Sequence, residues 1–294
     1  MKSSKALYSR CFKEYELRDD NLKKLQDNLL EMFLDIKRVC DSNDIKYMLS
    51  GGTLLGAIRH GGFIPWDDDI DIMMVREEYE KFRSVFPGDM YDKYELVEPL
   101  QDKYVVCKQP KIYKKNTVYV EVDTAGIPAH NHLFIDVFII ENVPSNYLIR
   151  KAKAKAYDFS YKAASVCMDY VYPSPVIEAK AKDDKELNEY YTFRKRIGFL
   201  FAHVGGMRFY LKVCDKLARH KRHSGLMSVP SAISYEKELT SSTVFEEVTT
   251  GSFCGHDVLI PKQYDIYLRN LYGDYMQIPP EDKREHHAAY KIEL

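Results

Sequence analysis

Several common features are missing from this 294-residue chain, and each gap narrows what it can be. Its six cysteines (Cys11, Cys40, Cys107, Cys167, Cys214 and Cys254) form no CxxC pair, which argues against a structural zinc site. No secretory signal pattern is seen, so the expectation is reduced thiols in a cytosolic protein. The longest apolar run, residues 197–207, is too short to cross a bilayer. The formal net charge is −1, so no global field favours nucleic acid or an acidic polymer. There is neither an internal repeat nor a low-complexity linker. What remains is an ordinary globular composition, 45% hydrophobic and 30% charged, long enough for one large domain or two small ones. The 23 tyrosines are many, and each joins a large apolar ring to a hydrogen-bonding tip.

The most informative stretch is Trp66-Asp67-Asp68-Asp69-Ile70-Asp71-Ile72, with four carboxylates in five residues. The apolar alternation that begins there predicts a strand from about Asp69 to Val75. On a strand, Asp67, Asp69 and Asp71 share one face, with Asp69 and Asp71 ~7 Å apart. Two such carboxylates repel by about 2 kcal/mol at an effective dielectric of ~20. A positive counterweight is therefore expected, and hard oxygen ligands suit Mg²⁺ or Mn²⁺.

The rest of the chain reads as alternating helices and strands. Leu22, Leu25, Leu29, Met32, Phe33, Ile36 and Val39 recur at helical spacing, with Asp20 as the expected cap. Residues 45–50 read as a strand, Gly51-Gly52 follows at once, and 53–59 read as a short helix. The spacing predicts a helix over 76–86 stopped by Pro87-Gly88, and strands over 94–98, 105–108 and 118–122. Residues 133–140 form a strongly apolar strand interrupted by one carboxylate, Asp136. Residues 146–225 read as helical, and a helix near 263–272 is ended by Gly273.

Three constellations carry chemistry. Paired glycines between strand and helix let backbone approach a ligand, and the helix N-terminus offers free N–H groups to an anion. The acidic strand follows the pair after seventeen residues. A lone carboxylate on an apolar strand, Asp136, is costly unless it is paired or holds a metal, and both readings stand. Together these suggest two strands presenting Asp69, Asp71 and Asp136 to one metal, the kind of clamp that phosphate chemistry uses. Asp67 and Asp68 support that row, act as a base, or face solvent.

These elements resemble the nucleotidyltransferase fold of the DNA polymerase beta type. The wording of residues 49–72, from Leu49-Ser50-Gly51-Gly52-Thr53 through Gly61-Gly62-Phe63-Ile64-Pro65-Trp66 to Ile72, is similar to the signature of the LicD family. That family contains bacterial phosphocholine transferases and the related fukutin-type sugar-alcohol phosphate transferases. Phe245-Glu246, Ile260-Pro261, Tyr272-Gly273-Asp274 and Pro279-Pro280 fit it too. The resemblance covers about 25–140 and 240–290.

The resemblance implies an α+β fold with a mixed sheet flanked by helices. It implies one catalytic domain: a nucleotidyltransferase-like core over 25–145, a helical annex on the acceptor side over 146–235, and a C-terminal part of the active site over 236–294. The implied reaction is transfer of phosphocholine from CDP-choline to a hydroxyl of a surface glycan or teichoic-acid sugar, with release of CMP. A lipid-linked acceptor is among the options it leaves open. Ribitol or glycerol phosphate donors, nucleotidyl transfer, and an inactive binding module of the same fold are the alternatives. By the same resemblance Asp69, Asp71 and Asp136 hold metal, and Gly51, Gly52 and Thr53 cradle phosphate. Arg59 is a phosphate clamp or a surface arginine, and Glu246 orients a substrate or forms a structural salt bridge. Trp66 is a candidate aromatic face for a choline head.

Further features stay open. His130 and His132 flank the turn before Asp136 and read as metal ligands or as surface groups; His286-His287 receives no role. Basic clusters at 194–196 and 219–223 bracket the apolar run. They fit a solvated helix face or a contact with the anionic inner face of a membrane.

Overall fold

The computed structural model describes residues 4–281, 284 and 286–294. A short helix α1 (Ser4–Cys11) leads to α2 (Asp19–Ser42), whose seven apolar positions named above are all buried. The expected cap is absent: the helix starts at Asp19, with Arg18 as its uncapped N-terminal neighbour. Then follow β1 (Met48–Leu49), α3 (Gly51–His60), β2 (Asp71–Val75), α4 (Arg76–Met90), β3 (Tyr94–Val97), β4 (Lys111–Lys114), β5 (Val118–Glu121) and β6 (Phe134–Asn142). The C-terminal half supplies α5 (Tyr147–Val171), α6 (Pro175–Ala181), α7 (Lys185–Val204), α8 (Met207–Ala218), β7 (Leu226–Ser228) and β8 (Thr240–Ser241). Last come α9 (Thr243–Glu246), β9 (Val248–Phe253), β10 (His256–Pro261), α10 (Tyr264–Tyr272) and β11 (Ala289–Glu293).

The central sheet has the order β1-β2-β6-β4-β3, with β7 and β8 continuing from β6. It is mixed: β2 and β6 are parallel, and the other pairs along it are antiparallel. Ile72, Met73, Met74, Ile135, Val137 and Ile140 are fully or almost fully buried, so the two middle strands are covered on both faces. α2, α3 and α4 pack on this sheet. Beyond it, α5 packs against α7 and α8. Gly198 permits the closest approach there, because a Cβ at that position would lie 2.0 Å from the Val166 carbonyl.

Several boundaries differ from the sequence reading. The acidic strand begins at Asp71, so Asp69 lies in the segment leading into it rather than on it. β1 keeps only Met48 and Leu49 of the expected 45–50. α4 stays helical to Met90, where that side chain packs on the main core, instead of ending at Phe86. Residues 105–108 are not a strand: that segment crosses to the annex, where Lys108 Nζ donates to the Ala232 carbonyl.

Candidate active site

The parallel register of β2 and β6 sets Asp71 directly beside Asp136. The antiparallel register of β6 and β4 sets Lys111 on the other side of Asp136. Paired residues on neighbouring strands project from the same face, so Asp71, Asp136 and Lys111 form one row. Lys111 Nζ lies 2.9 Å from Asp136 Oδ1, and Gln109 Nε2 donates to the same carboxylate at 2.9 Å.

The glycine turn closes over this row. Gly51 opens α3 with φ +48, a conformation that L side chains rarely adopt. A Cβ there would stand 3.9 Å from Asp71 Oδ2, and one on Gly52 would stand 3.1 Å from Asp67 Oδ2. The N-terminus of α3, the positive end of its dipole, is thus aimed at the acidic residues. Ser50 N–H donates to the Asp71 carbonyl and Asp71 N–H to Thr53 Oγ1, which locks turn and strand together. Thr53 is almost fully buried, and this bond explains its place: its hydroxyl positions Asp71.

The C-terminal strand completes the site. β11 pairs with β5, putting Ala289 opposite Glu121, and the residues before it reach the acidic segment. His287 Nδ1 bonds Asp68 Oδ1 at 2.7 Å and lies 3.8 Å from Asp69 Oδ2. Its backbone N–H also donates to Asp68. Asp68 is therefore neither a solvent group nor free to act as a base.

Electrostatically, carboxylates outweigh cations here. Burial, the Asp68 charge and the Asp136 charge push Asp69 up to about 6 against the pull of His287. Its side chain keeps 28% of its surface accessible, so the burial is that of a cleft floor, not of a sealed core. Burial raises Asp71 well above the carboxylate range, with Asp69, Asp136 and Asp67 adding repulsion. Glu121 is pushed up to about 7 by burial and by Asp123. Against these stand Lys111, held protonated beside Asp136, and His287, held protonated by Asp68 despite burial. Among the described residues no three such side chains already surround one point as a ligand cage. The donor set nonetheless fits a hard cation: buried carboxylate oxygens with an uncompensated negative charge.

The remaining candidates fall in different places. Trp66 carries the Arg284 guanidinium over its ring at 4.2 Å, so its face does accept a cation. The Arg59 Nη1 donates to the Tyr275 and Gln277 carbonyls, tying the C-terminal segment to α3, while its charge acts on Asp67 and Tyr272. Glu246 is exposed at the end of α9, accepts from Ser242 Oγ, and is not brought to the row. His130 and His132 are engaged by Asp102 and by the Thr117 carbonyl.

Sequence reasoning gave no role to Lys111, Gln109, Glu121, Asp123, Tyr272 or His287. Only Tyr272, in the Tyr272-Gly273-Asp274 stretch that fits the family, and the histidine pair gave any signal. A cavity of about 440 Å³ lies elsewhere, against Ile139 and Glu141, which alternate to the sheet face opposite Asp136.

The residues that build this site also decide its kinship. Residues 44–178, which hold the turn, the acidic strand and Asp136, match the family model described as LicD/FKTN/FKRP, nucleotidyltransferase domain. The chain carries a LicD-type domain over residues 44–178. LicD proteins are phosphotransferases. The chain is similar to the lipopolysaccharide cholinephosphotransferase LicD of Haemophilus influenzae, at 29% identity over 94% of this chain and 97% of that protein. It is 42% identical to an uncharacterized protein of Rickettsia typhi over 27% of this chain and 25% of that one. It is 40% identical to the human ribitol 5-phosphate transferase FKRP, over 19% of this chain and 12% of that protein.

Proposed function

We propose that this chain is a LicD-type enzyme that transfers phosphocholine from CDP-choline to a hydroxyl of a cell-surface glycan. The acceptor oxygen attacks the phosphorus bearing choline, the bond from that phosphorus to the bridging oxygen breaks, and CMP leaves with the electron pair. The acceptor's proton passes to a base or to solvent.

The observation that carries this reading is the Asp71–Asp136 register beneath the Gly51-Gly52 turn. Asp69, Asp71 and Asp136 would hold a divalent cation, Mg²⁺ or Mn²⁺, which neutralises charge on the donor's pyrophosphate. Gly51 and Gly52 bring backbone N–H groups to the phosphates without side-chain obstruction. Thr53 fixes the height of Asp71 in the row, and Lys111 and Gln109 orient Asp136. Arg59 acts by holding residues 275–277 against α3. Trp66 offers an aromatic face within the same segment as the acidic residues. The long match to a cholinephosphotransferase favours choline as the donor's head group.

The short match to FKRP supports a second reading, ribitol phosphate transfer by the same site. A donor panel separates the two. Purified protein with Mg²⁺ is given CDP-choline, CDP-ribitol and CDP-glycerol, and CMP is measured with a glycan acceptor. CMP from CDP-choline, lost in Asp71→Asn, is the expected result. CMP from CDP-ribitol alone would transfer the assignment to the second reading, and CMP from none would leave a binding module.

A further inference from the structure

The annex carries an apolar surface apart from the residues of the acidic row. Around the α7–α8 turn, Phe159, Tyr170, Phe199, Leu200, Val204 and Phe209 are exposed, from 38% for Tyr170 to 76% for Val204. They are not scattered. Phe159 meets Phe201, which meets Tyr210, which meets Phe209, at ring separations of 5.7, 5.6 and 5.2 Å. On the same helices Tyr170 meets Phe199 at 5.4 Å, and Phe199 meets His203 at 4.3 Å. The first chain is anchored below the surface by Phe201 and the buried Tyr210, and the exposed groups held above these helices form apolar surface of the kind that marks a contact site.

The charge around it is mostly positive, with Asp158 beside Phe159 an exception on α5. Residues 190–223 contain nine lysines and arginines and a single carboxylate, Asp215. Arg194, Lys195 and Arg219 are spent on Asp169, Glu178 and Asp215. Arg196, Lys212, Lys216, Lys221 and Arg222 are exposed and have no ion pair among the described residues. Lys155 and Lys162 on α5 add to them. Lys212 and Lys216 follow Phe209 at helical spacing, so α8 presents one face that runs from apolar to basic.

We propose that this face docks the enzyme on an anionic lipid surface. The aromatic and aliphatic groups enter the headgroup boundary, and the unpaired cations meet acidic headgroups. A second copy of this chain fits poorly, because a two-fold contact would set the same unpaired cations against each other. Among the described residues no helix is long and apolar enough to cross a membrane, so the contact is peripheral. Docking there would bring the site to acceptors carried on lipid. Vesicle binding is read without donor or acceptor, so its failure and failure of the transferase reading are separate results.

The full chain is mixed with phosphatidylcholine vesicles, with and without one third phosphatidylglycerol, and bound protein is recovered by flotation. Binding at least about tenfold stronger to the anionic vesicles is expected, falling as salt is raised. The double variants Leu200→Glu/Val204→Glu and Lys212→Glu/Lys216→Glu should each lose about tenfold or more with an unchanged melting temperature. The wild-type salt titration decides the matter even where a variant folds poorly. Equal binding to neutral vesicles, no binding to either, or double variants that fold and bind like wild type would overturn the proposal. So would a dimer in lipid-free solution that both variants dissolve.

Discussion

Asp136 stands in register between Asp71 on β2 and Lys111 on β4, so one carboxylate is shared between a repelling neighbour and an attracting one. A purely structural ion pair has no reason to carry the repelling member. Asp71→Asn should therefore raise stability without added metal, by about 1–2 kcal/mol. The same change should lower transfer at least about 100-fold. Thermal melts beside CMP release check both halves. Loss of stability together with activity would mark Asp71 as a packing residue.

Lys111 is predicted to be the partner that makes Asp136 tolerable. Both side chains are largely buried, with 13% and 14% of their surfaces exposed. Lys111→Met leaves Asp136 uncompensated and should cost about 3–5 kcal/mol. Adding Asp136→Asn should recover most of that loss. Denaturant melts of the two single variants and the double variant give the coupling. Additive losses would show that the two side chains act independently.

How much of this was legible beforehand depends on which physical signal each residue leaves in one dimension. Carboxylates on apolar strands are conspicuous, and the register of β2 and β6 sets Asp71 beside Asp136, while Asp69 lies before the strand on which it was expected. The amphipathic run of α2 and the Gly273 end of α10 were legible for the same reason: local periodicity and local turn chemistry. Lys111, Glu121 and His287 were not. Each joins the site only through strand pairing, β4 with β6 and β5 with β11, and pairing leaves no mark on the neighbouring sequence. Arg59 and Thr53 show the converse. Their residue types suit phosphate, but backbone carbonyls at Tyr275 and Gln277 take up the Arg59 Nη1, and the Asp71 N–H takes up the Thr53 hydroxyl.

Glu238 gives a pH test away from the acidic row. It is 1% exposed and its Oε2 has no partner among the described residues, although Tyr267 bonds the carboxylate. Burial pushes it up to about 7, against an ordinary value of 4.5. The folded state thus binds the proton more tightly than the unfolded one. Its stabilising contribution is full below about pH 4.5 and is lost as pH rises through 7. Glu238→Gln should flatten that fall and stabilise the protein at pH 8 by up to about 3 kcal/mol. Melts from pH 4 to 8 check it, and an unchanged slope in the variant would remove Glu238 as the cause.

Gly51 should resist substitution for conformational reasons alone. Its φ of +48 carries a penalty of about 1–2 kcal/mol for any residue with a Cβ. Gly51→Ala should lose that stability and weaken the donor, visible as a raised KM for CDP-choline. A variant with wild-type melting and wild-type KM would show that the turn relaxes and that backbone approach to phosphate is not needed.

The central claim is that the Asp69, Asp71 and Asp136 carboxylates share a divalent cation. Manganese binding tests it most directly, by following the electron paramagnetic resonance signal of free Mn²⁺ as protein is added in the presence of CDP-choline. The signal should fall with wild-type protein and stay with Asp71→Asn and Asp136→Asn, both still folded. Equal loss of signal with all three proteins, or full transfer after chelation of every divalent ion, would contradict the account.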